Sequence, residues 1–241
     1  MVCMISIVQG TLAQKNIMYD RQVWLGYNSQ SRFSDKWGVW LDGNLRTRQD
    51  FFTNFYQAVA RVGIMYNLNE ATRVTAGYAF INYFPDEGHK AVSQFEHRPW
   101  QQLHWQTVYN KKILAHRIRL EERYRRKVLN DSTLADGYNF NFRARYNLGF
   151  QVPLSKKGIA PNTFSFVVND EVMVNFGKEI VYNYFDQNRI FLGFAYHPNA
   201  NDQLQIGYMN VFQQLSAGNR YRNSHVVRVF FFHNLDLRKG S

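Results

Sequence analysis

The segment Tyr138 to Val152, YNFNFRARYNLGFQV, alternates without interruption. Tyr138, Phe140, Phe142, Ala144, Tyr146, Leu148, Phe150 and Val152 fall on one side of a period-two chain. Asn139, Asn141, Arg143, Arg145, Asn147, Gly149 and Gln151 fall on the other. A helical period would scatter the two sets round a cylinder, whereas an extended strand gives each its own face. A chain built from such segments folds as a sheet with one apolar and one polar side.

The pattern recurs. WGVWLDGNLRTR, residues 37–48, sets Trp37, Val39, Leu41 and Leu45 against Asp42, Asn44, Arg46 and Arg48, and LQIGYMNVF alternates from Leu204. Less regular versions lie at 21–33, 55–68, 72–84, 100–110, 113–127, 163–176, 188–197 and 224–236. The stretch HRIRLEERYRR, residues 116–126, is ambiguous alone. Period two gathers Arg117, Arg119, Glu121, Arg123 and Arg125 opposite Ile118, Leu120 and Tyr124, but a helix would make Glu121–Arg125 and Glu122–Arg126 favourable pairs. Its strand-like neighbours decide for a strand.

Short breaks at Ser34–Lys36, Asn69–Ala71, Lys111–Lys112 and 198–202 alternate with longer ones at 49–54, 85–99, 128–137, 177–187 and 216–223; only 153–162 is long where a short turn is expected. Such alternation marks an up-and-down barrel whose rims face different environments. The fold expected is all-β: an up-and-down antiparallel transmembrane β-barrel with a polar, Arg-rich lumen. Eleven segments are visible, but single-chain bacterial barrels carry an even number, so the expectation is twelve strands, or ten.

Of the 29 basic residues 19 are Arg, most of them inside the periodic segments, against 18 Asp plus Glu in a chain of net charge +11. Arg suits enclosed, forked hydrogen bonding, while the strongly hydrated Lys falls mostly in turns and ends. Alternation alone permits a soluble barrel with its polar face outside. If the barrel lies in a membrane, each Arg facing lipid would cost roughly 2–4 kcal/mol, so Arg117, Arg119, Arg143 and Arg145 must face inward. Aromatic residues near strand ends, among them Trp37, Tyr66, Tyr83, Trp100 and Tyr109, fit interfacial girdles and favour the membrane arrangement. No stretch is long and apolar enough for a membrane helix. The Arg rows and the aromatics lie on opposite faces, which disfavours nucleic acid as the anionic partner.

QVWLGYNSQSRFSDKWGVWLDGNLRTR, HRIRLEERY, NDEVMVNFG and DQNRIFLGFAYHPN followed by LQIGYMN resemble, in this order, a bacterial outer-membrane barrel family catalogued as domain of unknown function 2490. The resemblance covers nearly all of the chain from about residue 21. It implies a Gram-negative outer-membrane location, with membrane lipid, lipopolysaccharide and membrane-protein complexes as partners, and it implies no activity. Residues 1–13 read as a truncated secretory signal, with small residues Thr11 and Ala13 before a cleavage point, and 14–241 as one barrel domain. A signal ending at Ala13-Gln14 is similar to those of Bacteroidota-type secreted proteins.

The residues expected to line the lumen are Arg117, Arg119, Glu121, Arg123, Arg125, Asn139, Asn141, Arg143, Arg145, Asn147, Glu171 and Arg189. Glu121 and Glu171 are the counter-charges, and the Asn residues satisfy remaining donors. Asp170 falls on the apolar face, which predicts a bulge near Asn169 or a position above the membrane. One Cys, Cys3, excludes a disulfide framework and Cys-based zinc sites. No Gly-x-Ser-x-Gly, His-Glu-x-x-His or phosphate-cradling glycine loop is present, so no catalytic residue, metal or cofactor is expected. The expected role is a narrow pore, anion-preferring if open, or a structural or accessory membrane component. The alternative is an outer-membrane enzyme acting on lipid or lipopolysaccharide through a wall residue such as His116. A soluble ligand-binding barrel is third.

Overall fold

A computed structural model describes residues 15–48, 54–86 and 89–238. The signal reading of residues 1–13 lies outside them. The described residues form eleven strands and no helix: β1 (Asn16–Arg32), β2 (Trp37–Arg48), β3 (Asn54–Asn67), β4 (Thr72–Tyr83), β5 (Gln94–Tyr109) and β6 (Lys112–Asn130), followed by β7 (Thr133–Pro153), β8 (Thr163–Phe176), β9 (Phe185–His197), β10 (Asp202–Gln214) and β11 (Arg220–Asp236). Each pairs antiparallel with its sequence neighbour, and β1 pairs parallel with β11 to close the barrel.

The expected even count therefore gives way to eleven. An odd number of up-and-down strands leaves the first and last running the same way, and a continuous ladder from Asn16↔Arg220 to Arg32↔Asp236 accommodates this. Following register partners once round, from Arg32 through Gly38, Met65, Thr75, Gln102, Arg119, Arg145, Met173, Gln187, Gln213 and Arg222, returns to Met18 on the strand where it began. That offset is the stagger that tilts the strands of a closed barrel.

Several strands exceed the expected segments. Residues 128–137, read as a loop, are β6 and β7 continued to a turn at 131–132; register shifts between Arg126 and Val128 and between Val128 and Asn130 break the alternation that would have marked them. β5 begins at Gln94 and β9 at Phe185, inside the expected loops 85–99 and 177–187. Asn110 and Lys111 both take positive φ, 46° and 66°, as a two-residue hairpin turn of mirror type requires.

The outer wall is apolar. Leu25, Leu41, Val62, Val74, Leu103, Ile118, Leu148, Val172, Leu192, Ile206 and Val227, one from each strand in turn, are each more than a third exposed. Asp170 shares this face. The β7–β8 register runs unbroken through Leu148↔Asp170, and the β8–β9 shift falls between Met173 and Val174, so the expected bulge near Asn169 is absent. Asp170 stays outward and accepts a hydrogen bond from Asn188 at 2.5 Å.

The interior combines charge with two aromatic clusters. On one wall Trp40, Val59, Met65, Ala79, Ile81, Tyr83 and Trp100 pack together; on the other are Trp24, Val167, Phe191, Ala195, Met209, Val211 and Val226. Trp100 lies across Gly77 and Gly63, successive register partners on β4 and β3. A Cβ at Gly77 would come within 2.6 Å of its ring and 2.3 Å of the Val62 carbonyl oxygen, so only glycine leaves room for this indole.

Candidate functional site: the charged lumen

Inward positions of β5 to β9 place Arg and acidic residues at adjacent registers, and the side chains close a network across the interior. Glu121, 1% exposed, accepts from Arg143 Nε and Nη2 at 2.8 and 2.5 Å and from Arg145 Nη1 at 2.7 Å, with Arg98 Nη1 at 3.3 Å. Arg145 turns its Nη2 to both oxygens of Glu171, at 2.7 and 2.8 Å, and Glu171 also receives Arg117 Nη2 at 2.7 Å. Arg143 reaches Asp186 at 2.8 Å. Fully buried Glu96 is held by Arg98, by Arg123 at 2.9 Å and by the Tyr83 hydroxyl at 2.9 Å.

Each carboxylate thus meets at least one guanidinium, and Glu96, Glu121 and Glu171 each meet several. In this fully desolvated setting a single Arg would leave carboxylate lone pairs unfilled; forked donation from several strands fills them. Aromatic faces take part of the surplus positive charge. Arg46 lies 3.8 Å above the Trp24 ring, Arg119 4.4 Å above Trp100, and Arg125 4.2 Å above Tyr83.

Of the residues expected to line the lumen, Arg117, Arg119, Glu121, Arg123, Arg143, Arg145 and Glu171 meet in or beside this network. Arg189 joins it at 3.7 Å from Glu171 while bonding Gln187 at 2.9 Å. Asn141 bonds Asn175 at 3.4 Å, and Asn147 donates to the Asp170 carbonyl at 3.4 Å. Asn139 is placed differently: it is exposed, because β8 ends at Phe176, opposite Phe142, and the β6–β7 hairpin runs on beyond its neighbour.

Glu96, Arg98, Asp186, Asp42 and Arg61 escaped the sequence reading as network members. Glu96 and Arg98 alternate with Phe95 and His97 in QFEHRPW, a signal masked by Pro99, which argues against a central strand. Asp186 fell one residue inside an expected loop. Asp42 pairs with Arg61 at 2.6 Å across β2 and β3.

Two cavities flank the network. The larger, about 290 Å³, reaches from Trp24, Trp40 and Arg61 to Gln30, Ile113 and Gln151 near the rim where β1 ends. The smaller, about 90 Å³, lies toward the other rim between Tyr56, Tyr83, Arg125 and Arg222. Both are bounded by Trp24, Arg46, Arg61, Arg145 and Arg189, which stand between them.

Outside the barrel, His116 bonds the Tyr146 hydroxyl at 2.8 Å and stacks on Trp105 with ring centroids 4.8 Å apart. His225 makes the same kind of contact with Tyr208 at 2.6 Å. At the rim, Glu70 receives both terminal nitrogens of Arg32, and this hydrogen bonding holds its carboxyl below the ordinary range. No group of three or more His, Cys, Asp or Glu suited to a metal ion occurs among the described residues.

A family model described as protein of unknown function (DUF2490) matches residues 21–222. No curated protein and no solved structure matches the chain.

Proposed function

Because the chain belongs to the DUF2490 family, whose description assigns no activity, we propose its role from the barrel's own surfaces: an outer-membrane protein with an occluded lumen, serving as a structural or accessory component of a bacterial outer membrane. The observation that carries this is the inverted distribution of polarity. Every strand contributes an exposed aliphatic residue to the outer wall, while Glu96, Glu121, Arg98, Arg119, Arg143 and Arg145 are buried inside. Monomeric soluble proteins rarely expose contiguous apolar patches above a few hundred Å², and a belt round the whole circumference needs lipid against it. Closure of the sheet supports the same reading, since it leaves no unpaired edge in hydrocarbon.

Occlusion favours a structural role over an open pore. Arg145 binds Glu121 on one side and Glu171 on the other, and the other Arg residues dividing the two cavities are tied in place by Asp42, by Glu171 and by the Trp24 ring. Outer-membrane lipid and lipopolysaccharide are the surroundings this implies, with membrane-protein partners at the rims.

Cell fractionation followed by electrophoresis of unheated and boiled protein tests the proposal. Recovery with the outer membrane and a heat-dependent mobility shift are expected, together with no steady conductance in planar bilayers. Recovery in the soluble fraction would overturn the membrane reading; a steady conductance would replace occlusion with an anion-preferring narrow pore.

A further inference from the structure

We propose that the larger lumen cavity is a binding site for a small organic anion, whose charged group is held by Arg73, His104 and Arg117. These three are successive register partners on β4, β5 and β6, Arg73 opposite His104 and His104 opposite Arg117, and all line the cavity. The row thus sets one guanidinium group on either side of an imidazole, and among the described residues nothing offsets the two charges fully. Arg117 has Glu171 at 2.7 Å, yet its Nε is buried without a partner. Among the described residues Arg73 pairs with no carboxylate, and its Nε is also buried and unpartnered.

The neighbouring unsatisfied groups have the same polarity. Gln102 Nε2 and Trp40 Nε1, on residues 4% and 5% exposed, are buried N–H donors with no acceptor among the described residues, and the unpartnered His104 Nδ1 can join them as a donor in one tautomer of its imidazole. Water can satisfy donors, but it leaves the excess of cations uncompensated. An anion with several acceptor oxygens does both, and two guanidinium forks suit a carboxylate or phosphate. The remainder of the lining argues for an organic anion over an inorganic one. Trp24, Trp40 and Phe230 face the same space, and about 290 Å³ is the size of a small-molecule pocket, well beyond the needs of a single ion. The site stands on the interior alone and is independent of what surrounds the outer wall.

Isothermal titration of the full folded barrel with benzoate, against benzamide of the same shape and against acetate, tests it. Benzoate should bind saturably in the millimolar range or tighter; benzamide, without the charge, and acetate, without the ring, should each bind about tenfold more weakly. Arg73→Gln should weaken benzoate about tenfold while keeping the heat-dependent mobility shift, with Arg73→Lys, which retains charge without the fork, falling between. Absence of saturable benzoate binding would overturn the proposal. So would benzamide binding equally well, or Arg73→Gln and Arg73→Lys both matching the parent.

Discussion

Glu121 and Arg143 are register partners on β6 and β7 and meet inside the barrel through two hydrogen bonds, Arg143 Nε and Nη2 donating to Glu121 Oε2 at 2.8 and 2.5 Å. Arg145, two residues on, takes the other oxygen at 2.7 Å. One carboxylate therefore fixes two guanidinium groups that themselves reach Asp186 and Glu171.

Glu121→Gln removes that charge and leaves Arg98, Arg143 and Arg145 partly uncompensated. Breaking one partner of a buried ion network costs about 3–5 kcal/mol, so the denaturant midpoint of the folded band should fall sharply. Adjacent Glu122 points outward and accepts a 3.4 Å contact from Gln101. Glu122→Gln should change stability by about 0.5 kcal/mol or less. Equal effects at 121 and 122 would show that the register is wrong.

Leu192 lies on the outer wall and is 44% exposed. In lipid, Leu192→Arg should cost roughly 2–4 kcal/mol at mid-depth; on a water-facing surface it would be near neutral. Urea titration of vesicle-folded protein separates the two.

Asp170 is the converse case, an acid on the apolar wall with Asn188 as its side-chain partner. Asp170→Leu should stabilise the lipid-inserted barrel by about 1 kcal/mol, read in the same titration. Destabilisation would mean that Asp170 contacts another protein or a polar headgroup there.

Gly77→Ala places a methyl against the Val62 carbonyl at 2.3 Å and the Trp100 ring at 2.6 Å. Overpacking of this kind costs about 1–3 kcal/mol, and displacement of Trp100 should shift tryptophan emission. Gly43→Ala, whose new methyl would meet nothing closer than the Val59 carbonyl oxygen at 3.8 Å, is the control and should leave both unchanged.

Much of the fold is legible in the sequence because strand periodicity is local. The alternation in Tyr138–Val152 assigns every residue there to a face, and the structure keeps those faces. Legibility fails where local pattern and tertiary pairing part company. Val128–Leu134 pairs irregularly, so its extended backbone carries no clean period. Pro99 interrupts QFEHRPW, and β5 tolerates it with its side chain outward, which hides Glu96 from a rule that excludes proline from central strands. Asp170 shows the opposite failure. Its strand alternates without a break, and the acid stays on the apolar face because Asn188 on the neighbouring strand supplies a donor there.

By itself the sequence determined the extended strands and the sorting of the Arg rows and the aliphatic side chains onto opposite faces, because these follow from a two-residue backbone repeat. The aromatic side chains divide between both faces, Trp24, Trp40, Tyr83 and Trp100 standing inside beside the Arg residues. Tertiary structure alone decided that eleven strands close through a parallel β1–β11 seam, that Arg145 spans Glu121 and Glu171, and that Arg73, His104 and Arg117 stand in one row. Those relations depend on register, and the register of any one pair in a closed barrel is set jointly by every other strand and by the stagger that brings the sheet back onto itself.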